Sequence, residues 1–517
     1  MMLLLTLLFT CVIGLFSYYY WHMTYWSRRN IAEPAGKSLM FGHFYTIFDN
    51  AHPIMVKLGE WSKKYGKTFG LYEGLRKVLV TSDVDVINEV FVKQFDNFHG
   101  RKTNPMTGNP GKNQRTNVFI ARGARWKRLR TITAPSFSNA NLKKINGLVE
   151  DSAMELVKHL EKNANSEINI REYFQEFTLD VISRLSLGQP TSQIFNNPML
   201  TPIVRSFEFD FRAPISMLAH CTFVPILLLR IIFLLSAKFT KDTQANIFVD
   251  ILGKMTKTVD ERVQQREDDK KRGIEPGEPS DFIDLFLDAR ADDIEDSMEE
   301  FSKNDVSISK NLTYEEIKGQ LMIFLLAGFD TTANALSYAA FLLTKNPEKM
   351  RKLQEEIDRE CTNTAIDFET LGRLKYLEAV FKETLRMYPL ASSVTSRLCM
   401  RTTKVGNMVI EEGTFVLANA WAIHYDKEIY GQDADQFVPE RWLNGTVYPP
   451  ATYLPFGHGS RICIGMRLAF LEAKLALCHI LRKFDIVEGP NTGKDLVLSG
   501  ATVVHPRQVS VLIKSRG

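Results

Sequence analysis

The apolar positions of this chain fall into three patterns, and each predicts a different element. The first is an unbroken run. Residues 1–26 contain no Lys, Arg, Asp or Glu, and the stretch Leu3-Leu4-Leu5-Thr6-Leu7-Leu8-Phe9 continues through Val12-Ile13-Gly14-Leu15-Phe16. About 20 apolar residues cross a bilayer as a helix, so one transmembrane helix is predicted here. Tyr18, Tyr19, Tyr20, Trp21, Tyr25 and Trp26 then read as an aromatic belt at the edge of the hydrocarbon, and Arg28-Arg29 follow. With no basic residue ahead of the run, the positive-inside rule holds the rest of the chain in the cytosol. A mitochondrial presequence would be Arg-rich and amphipathic, and a cleaved signal would carry a shorter apolar region and a small-residue site.

The second pattern has helical period. Thr313 with Glu316 three positions on forms a capping box, and Asn346-Pro347 is a stop, so a helix is predicted over Tyr314–Lys345. At 1.5 Å per residue it spans roughly 48 Å, which makes it central to the body. The third pattern is an interrupted apolar segment, 213–237, whose one formal charge is Arg230 and which Pro214 and Pro225 break. It is too interrupted for a second span. Two readings stay open: packing in the core, or lying in the bilayer surface beside the anchor. Residues 75–80 beside Gly74 read as a strand, while most later segments keep helical period. Residues 262–310, rich in Asp, Glu, Lys and Gly, read as a solvated helix-loop-helix with a mobile acidic stretch at 292–305. The chain therefore divides into an anchor (1–27), a connector around Pro34-Ala35-Gly36 (28–41) and a body (42–517).

Charge and cysteine usage narrow the class. The 64 Lys+Arg against 60 Asp+Glu leave a net charge of +4, too small to argue for nucleic acid. Cys11, Cys221, Cys361, Cys399, Cys463 and Cys478 are scattered without a CxxC, which is no disulfide framework and points to a reducing compartment.

One window concentrates the chemistry: Phe456-Gly457-His458-Gly459-Ser460-Arg461-Ile462-Cys463-Ile464-Gly465, followed by an apolar-periodic helix. A Gly-rich loop presents a cysteine just before a helix N-terminus, where free backbone N–H groups favour a thiolate. The glycines let the backbone approach a flat ligand closely. A lone cysteine is most often a buried free thiol. That reading leaves unexplained why Phe, Gly, Arg, Cys and Gly share ten positions, a match expected by chance in on the order of one chain in ten thousand. Upstream, Ala327-Gly328-Phe329-Asp330-Thr331-Thr332 interrupts the long helix with a glycine, an acid and two hydroxyls. Glycine costs helix propensity there, and a mid-helix Thr captures a carbonyl one turn back. Glu383 and Arg386 share a helix face, by itself a commonplace pair.

Together these windows resemble the cytochrome P450 family, whose F-x-x-G-x-R-x-C-x-G signature is matched at every fixed position. The resemblance covers residues 42–517 plus the anchor. It implies a mainly α fold with a small β-rich region near the start of the body, and haem b (iron protoporphyrin IX) between the long helix and the cysteine loop. Cys463 would be the axial thiolate on the haem iron. Arg461 would pair with a propionate, and Phe456 would pack near the sulfur. The A-G-x-[DE]-T-[TS] motif implies that Asp330 and Thr331 deliver protons to iron-bound oxygen. The ExxR and PER[FW] elements imply a buried network of Glu383, Arg386 and Arg441 bracing the cysteine loop, a role for planar guanidinium that Lys does not fill. The W-x-x-x-R pair Trp126 and Arg130, together with Arg397, would face the propionates, and Arg101 is a further candidate.

The function implied is a monooxygenase of the endoplasmic reticulum membrane, single-pass, with its catalytic domain in the cytosol. It would insert one oxygen atom from O2 into a hydrophobic small molecule, using NADPH electrons delivered by NADPH–cytochrome P450 reductase, with cytochrome b5 as a second partner. Arg128, Lys127, Lys143, Lys144, Arg467 and Lys474 would form a basic docking face. Residues 104–120, 207–218 and 392–395 would form the substrate pocket. Rival classes are a haem-thiolate isomerase or peroxide-rearranging enzyme, and a non-catalytic haem-binding membrane protein. Reductase-dependent NADPH consumption separates the three.

Overall fold

The computed structural model describes residues 2–208, 210–222, 224–239, 244–275, 277–289 and 311–516. The acidic run 292–305 lies outside them. The long helix spans Tyr314–Lys345, and both halves of its capping box form: Glu316 N–H donates to the Thr313 hydroxyl, and Thr313 N–H to the Glu316 carboxylate. It runs through the largest apolar core and packs along helix Ile170–Leu187. Among the described residues two helices are apolar and long enough to cross a membrane, and burial separates them. The central helix is 72% buried in its most apolar stretch, and Met2–Met23 only 6%.

The β structure is less local than its sequence suggests. The predicted strand is Arg76–Thr81, paired antiparallel with Thr68–Glu73. Its other edge pairs in parallel with Phe415–Ala418, which in turn pairs with Ser396–Leu398. Half of this four-stranded sheet therefore comes from more than 300 residues downstream. A three-stranded sheet joins Glu167–Asn169, Ser510–Ser515 and Phe484–Val487.

The first helix ends inside the body. Tyr18, Tyr20 and Trp21 stay exposed, but Tyr19, Met23, Tyr25 and Trp26 are buried. The Trp26 indole lies against the backbone of Gly70 and donates to the Leu71 carbonyl at 3.1 Å. Tyr25 and Trp26 are thus core residues and no part of an aromatic belt. The connector is equally engaged. Gly70 N–H donates to Ala32, His43 contacts the Pro34 carbonyl, Lys37 Nζ donates to the Met23 carbonyl, and Arg29 pairs with Glu411.

The apolar segment resolves into two helices with different fates. Pro214–Cys221 buries Ser216, Ala219, His220 and Cys221. Ile226–Phe239 leaves Leu227, Leu228, Ile231, Ile232, Leu234 and Leu235 exposed, while Leu229 packs inward. Arg230, the lone charge, donates to the Met106 and Thr107 carbonyls.

Candidate active site

The Cys463 window folds as the local chemistry demands. Gly457 and Gly459 adopt φ of +78° and +69°, a region side chains disfavour, and Gly459 lies where a Cβ would strike the Phe91 carbonyl. The turn closes when Cys463 N–H donates to the Phe456 carbonyl at 2.8 Å, and helix Met466–Lys483 starts three residues later. The Cys463 sulfur opens onto an internal cavity of about 230 Å³. Burial pushes its thiol up, while the N–H groups of Gly465 and Met466 and the guanidiniums of Arg101 and Arg130 pull the other way. Burial outweighs them, so the chain by itself favours the thiol, and a cation bound at the sulfur would be what stabilises the thiolate.

The long helix forms the opposite wall through Ile323, Phe324, Ala327, Gly328, Thr331 and Thr332. At Gly328 a Cβ would come within 3.0 Å of Ile182, so glycine brings the two helices together there. The Thr331 hydroxyl donates to the Ala327 carbonyl at 2.7 Å, the capture of a carbonyl one turn back. Asp330 does not line this cavity. It is 2% exposed, faces Arg171 of the neighbouring helix at 3.5 Å, and leaves Oδ2 without a partner. Successive residues sit about 100° apart around a helix, which turns Asp330 behind the wall while Thr331 and Thr332 face inward. One acid does line the cavity: Glu472, buried on the cysteine helix with Oε2 unpartnered. Burial raises its carboxyl to about 8 against a stabilising hydrogen bond from Thr332. Nothing in the sequence marked it, since it sits in an ordinary amphipathic helix.

The third wall is cationic. Arg101, Arg130, Arg397 and Arg461 all border the cavity. Arg461 stacks on Trp126 at 4.3 Å, Arg397 on Phe91 at 4.2 Å and Arg101 on Phe119 at 4.6 Å. Their hydrogen bonds go to backbone carbonyls: Arg461 to His99 and Ala121, Arg397 to His458, Arg101 to Arg461. Among the described residues none of the four pairs with a carboxylate. The Nε atoms of Arg101, Arg397 and Arg461 have no partner. Burial, and then the guanidiniums around them, hold Arg461 and Arg397 well below their ordinary range, and burial brings Arg101 down to about 10. So many buried cations without an anion are unstable unless a ligand supplies one. A flat dicarboxylate meets the requirement. The cavity thus offers what haem needs: a sulfur donor, a small-residue gap opposite, and guanidiniums at one edge for two propionates.

The Cytochrome P450 family matches residues 34–513. The chain belongs to the cytochrome P450 family. Three Caenorhabditis elegans proteins named cytochrome P450 CYP13A10, CYP13A4 and CYP13A1 are 46%, 46% and 45% identical to it, each over 98% of this chain and at least 97% of its own length. The family is one of haem-thiolate monooxygenases, so the chain is an oxidoreductase whose cofactor is haem.

Glu383, Arg386 and Arg441 come together in one buried network. The Glu383 carboxylate accepts from Arg386 Nε and Nη2, from Arg441 Nε and from Trp442 Nε1, each at 2.9 Å, and from Val438 N–H at 3.1 Å. Glu383 and Arg386 are both fully buried. His424, unremarked in the sequence, carries the brace to the cysteine loop. Its backbone carbonyl accepts from Arg386, and its neutral Nε2 accepts from Leu454 N–H, two residues before Phe456. Burial brings this imidazole down to about 3.

Two expectations need correction. Arg128 and Lys474 are not surface charges: Arg128 is 4% exposed and paired with Glu316, and Lys474 is 7% exposed and paired with Glu378. Lys143 and Lys144 are exposed but face Glu369 and Glu278, which leaves half-exposed Lys127 and exposed Arg467 as the cations of that set without an ion pair among the described residues. Of the three pocket segments, 207–218 does not reach the cavity. Phe211 stacks on Phe48 at 5.0 Å instead, whereas Val118, Phe119, Val394 and Thr395 do line the cavity.

Proposed function

We propose that this P450 is a membrane-anchored monooxygenase of the endoplasmic reticulum that inserts one oxygen atom from O2 into hydrophobic small molecules. Electrons come from NADPH through NADPH–cytochrome P450 reductase, with cytochrome b5 as a second donor. The observation that carries the reading is the cluster of four uncompensated guanidiniums in one cavity with Cys463 and Thr331. When bound, haem supplies the oxygen activation. The chain supplies the rest. Arg101, Arg130, Arg397 and Arg461 would hold the propionates and Cys463 the iron. Phe119, Ile182, Ile323, Phe324, Leu390 and Val394 make the cavity apolar, which selects lipid-like substrates and excludes bulk water. The Thr331 hydroxyl, tethered to Ala327, holds a proton at the gap in the helix. Asp330 lies one residue behind it beside Arg171, suited to pass protons inward after a side-chain rotation.

The anchor in this reading is Met2–Met23, with 42–517 as the catalytic body and 28–41 as a connector fastened to it. The exposed apolar face of Ile226–Phe239 supports a second membrane contact, and the Tyr19 hydroxyl bonds the Cys221 carbonyl at 2.8 Å, close to where that segment starts. The reduced protein with CO is expected to show the red-shifted Soret band of thiolate-ligated haem. Cys463→His is expected to abolish the band while some haem stays bound. Survival of the band in that variant would remove the ligand assignment.

A further inference from the structure

A second concavity, a groove of about 420 Å³, opens on the face of the body behind the Cys463 loop. Its size lies within the range of small-ligand pockets, about 300–1,000 Å³. Phe456 borders both this groove and the haem cavity, so one aromatic side chain stands between them. The floor is apolar: Leu142, Leu371 and Leu471 are buried there, and Phe368, Met466 and Phe470 are partly open. The rim is charged and unbalanced. Lys382, Arg467 and Lys474 face a single carboxylate, Glu378. Glu378 Oε1 meets Lys382 at 2.8 Å and Oε2 meets Lys474 at 3.0 Å. Burial raises the Glu378 carboxyl, but the two lysines outweigh it and hold the group down at about 2, so Glu378 is ionised and its charge is fully committed. Two positive charges remain over an apolar floor. The first turns of helices Asn139–Glu161 and Met466–Lys483 also border the groove, and helix N-termini add to the same potential.

We propose that this groove binds an amphipathic carboxylate, a medium-chain fatty acid or a molecule of that form, with its tail on the Leu371–Phe470 floor and its head at Lys382 and Arg467. An apolar floor alone accepts any hydrophobe. The surplus of cations at one rim selects an anion, and a carboxylate there meets Arg467, which makes no ion pair among the described residues, beside Lys382, which shares Glu378 with Lys474. The site is separate from the haem cavity, so its occupant and a substrate bind together. Bound there, the acid reduces the positive charge on the face nearest Cys463, where an acidic electron-donor protein would be attracted.

The experiment uses full-length holoprotein whose haem is saturated with 4-phenylimidazole, so that the distal cavity is closed and its ligation is read at the Soret band. A dodecanoic acid carrying a tail diazirine is photolysed with it and the labelled peptides are mapped. Labelling is expected within 366–382 and 466–474, with the Soret band of the azole complex unchanged, and competed by dodecanoate about tenfold better than by dodecanol, a ratio worth about 1.4 kcal/mol. Gly372→Phe should lower labelling about tenfold, because a Cβ at Gly372 meets nothing within 4 Å and a ring there fills the groove without displacing the fold. Lys382→Glu should do the same through charge. Azole binding and the CO band check that both variants are folded. The proposal is overturned if label is confined to the distal cavity or the anchor, if dodecanol competes as well as the acid, or if folded Gly372→Phe and Lys382→Glu label like wild type. It is equally overturned if those variants change only reduction by the reductase, which would make the groove a protein contact.

Discussion

Arg386→Lys tests whether the bracing network needs a guanidinium or only a positive charge. Arg386 uses all five of its N–H donors: two on Glu383, and one each on the carbonyls of His424, Ala434 and Gln436, at 2.6–3.0 Å. An ammonium has three N–H groups, so at least two of these buried acceptors lose their partner. Each stranded buried group costs about 1–3 kcal/mol, which sums to about 2–6 kcal/mol. A body of this size loses roughly 1 kcal/mol per degree near its midpoint, from about 2.1 cal/mol/K per residue, so the thermal midpoint should fall by about 2–6 °C. The loss is directed: His424 also holds Leu454 N–H, so slack there reaches the cysteine loop. The assay is the fraction of purified protein giving the thiolate CO band, read beside the melting curve. Arg386 does not line the cavity, so azole affinity of the remaining thiolate form should match wild type. A variant with a full CO band and an unshifted midpoint would refute the claim that geometry, and not charge, is what Arg386 contributes.

Thr331→Ala should keep haem and the CO band but release more reduced oxygen as peroxide and form less product, a general-acid loss of about 10²–10⁴-fold at most. Thr332→Ala, which faces Glu472, should uncouple less, and the reverse order would sink the assignment. Removing residues 1–18 should weaken membrane association and leave the body folded. Removing 1–27 should also destabilise it by about 3–5 kcal/mol through loss of the Trp26 side chain, seen as a lower midpoint, and equal midpoints for the two forms would contradict Trp26 as a core residue. Glu472 has a folded carboxyl raised to about 8, above its ordinary 4.5. The folded state therefore holds a proton that the unfolded state releases, and stability falls as pH rises from about 4.5 to 8, by up to about 1.4 kcal/mol per pH unit. Glu472→Gln should flatten that fall; an unchanged slope of midpoint against pH would show that Glu472 is ionised in the fold.

Much of this protein is decided by short-range physics, and that part is legible in its sequence. The Thr313–Glu316 box and the Asn346-Pro347 stop set both ends of the central helix, because caps and proline act within one turn. The charge-free N-terminal run and the Cys463 window are likewise contiguous, so their chemistry needs no distant partner to be read. What the tertiary structure decided is which of many similar residues lose water, and beside what. Arg101 and Arg128 are both arginines in a basic stretch; packing sends one to the haem cavity and the other to Glu316. Asp330 and Thr331 adjoin in sequence, yet the helix turn puts one behind the wall and one on it. Trp26 reads as part of an interfacial belt until the hairpin at Gly70 exists to receive it. Arg76–Thr81 gains its parallel partner from Phe415–Ala418, a pairing no local pattern specifies. Desolvation is the common reason. It depends on what the rest of the chain brings alongside, and it converts an ordinary Glu472 or Lys474 into a buried group with defined neighbours.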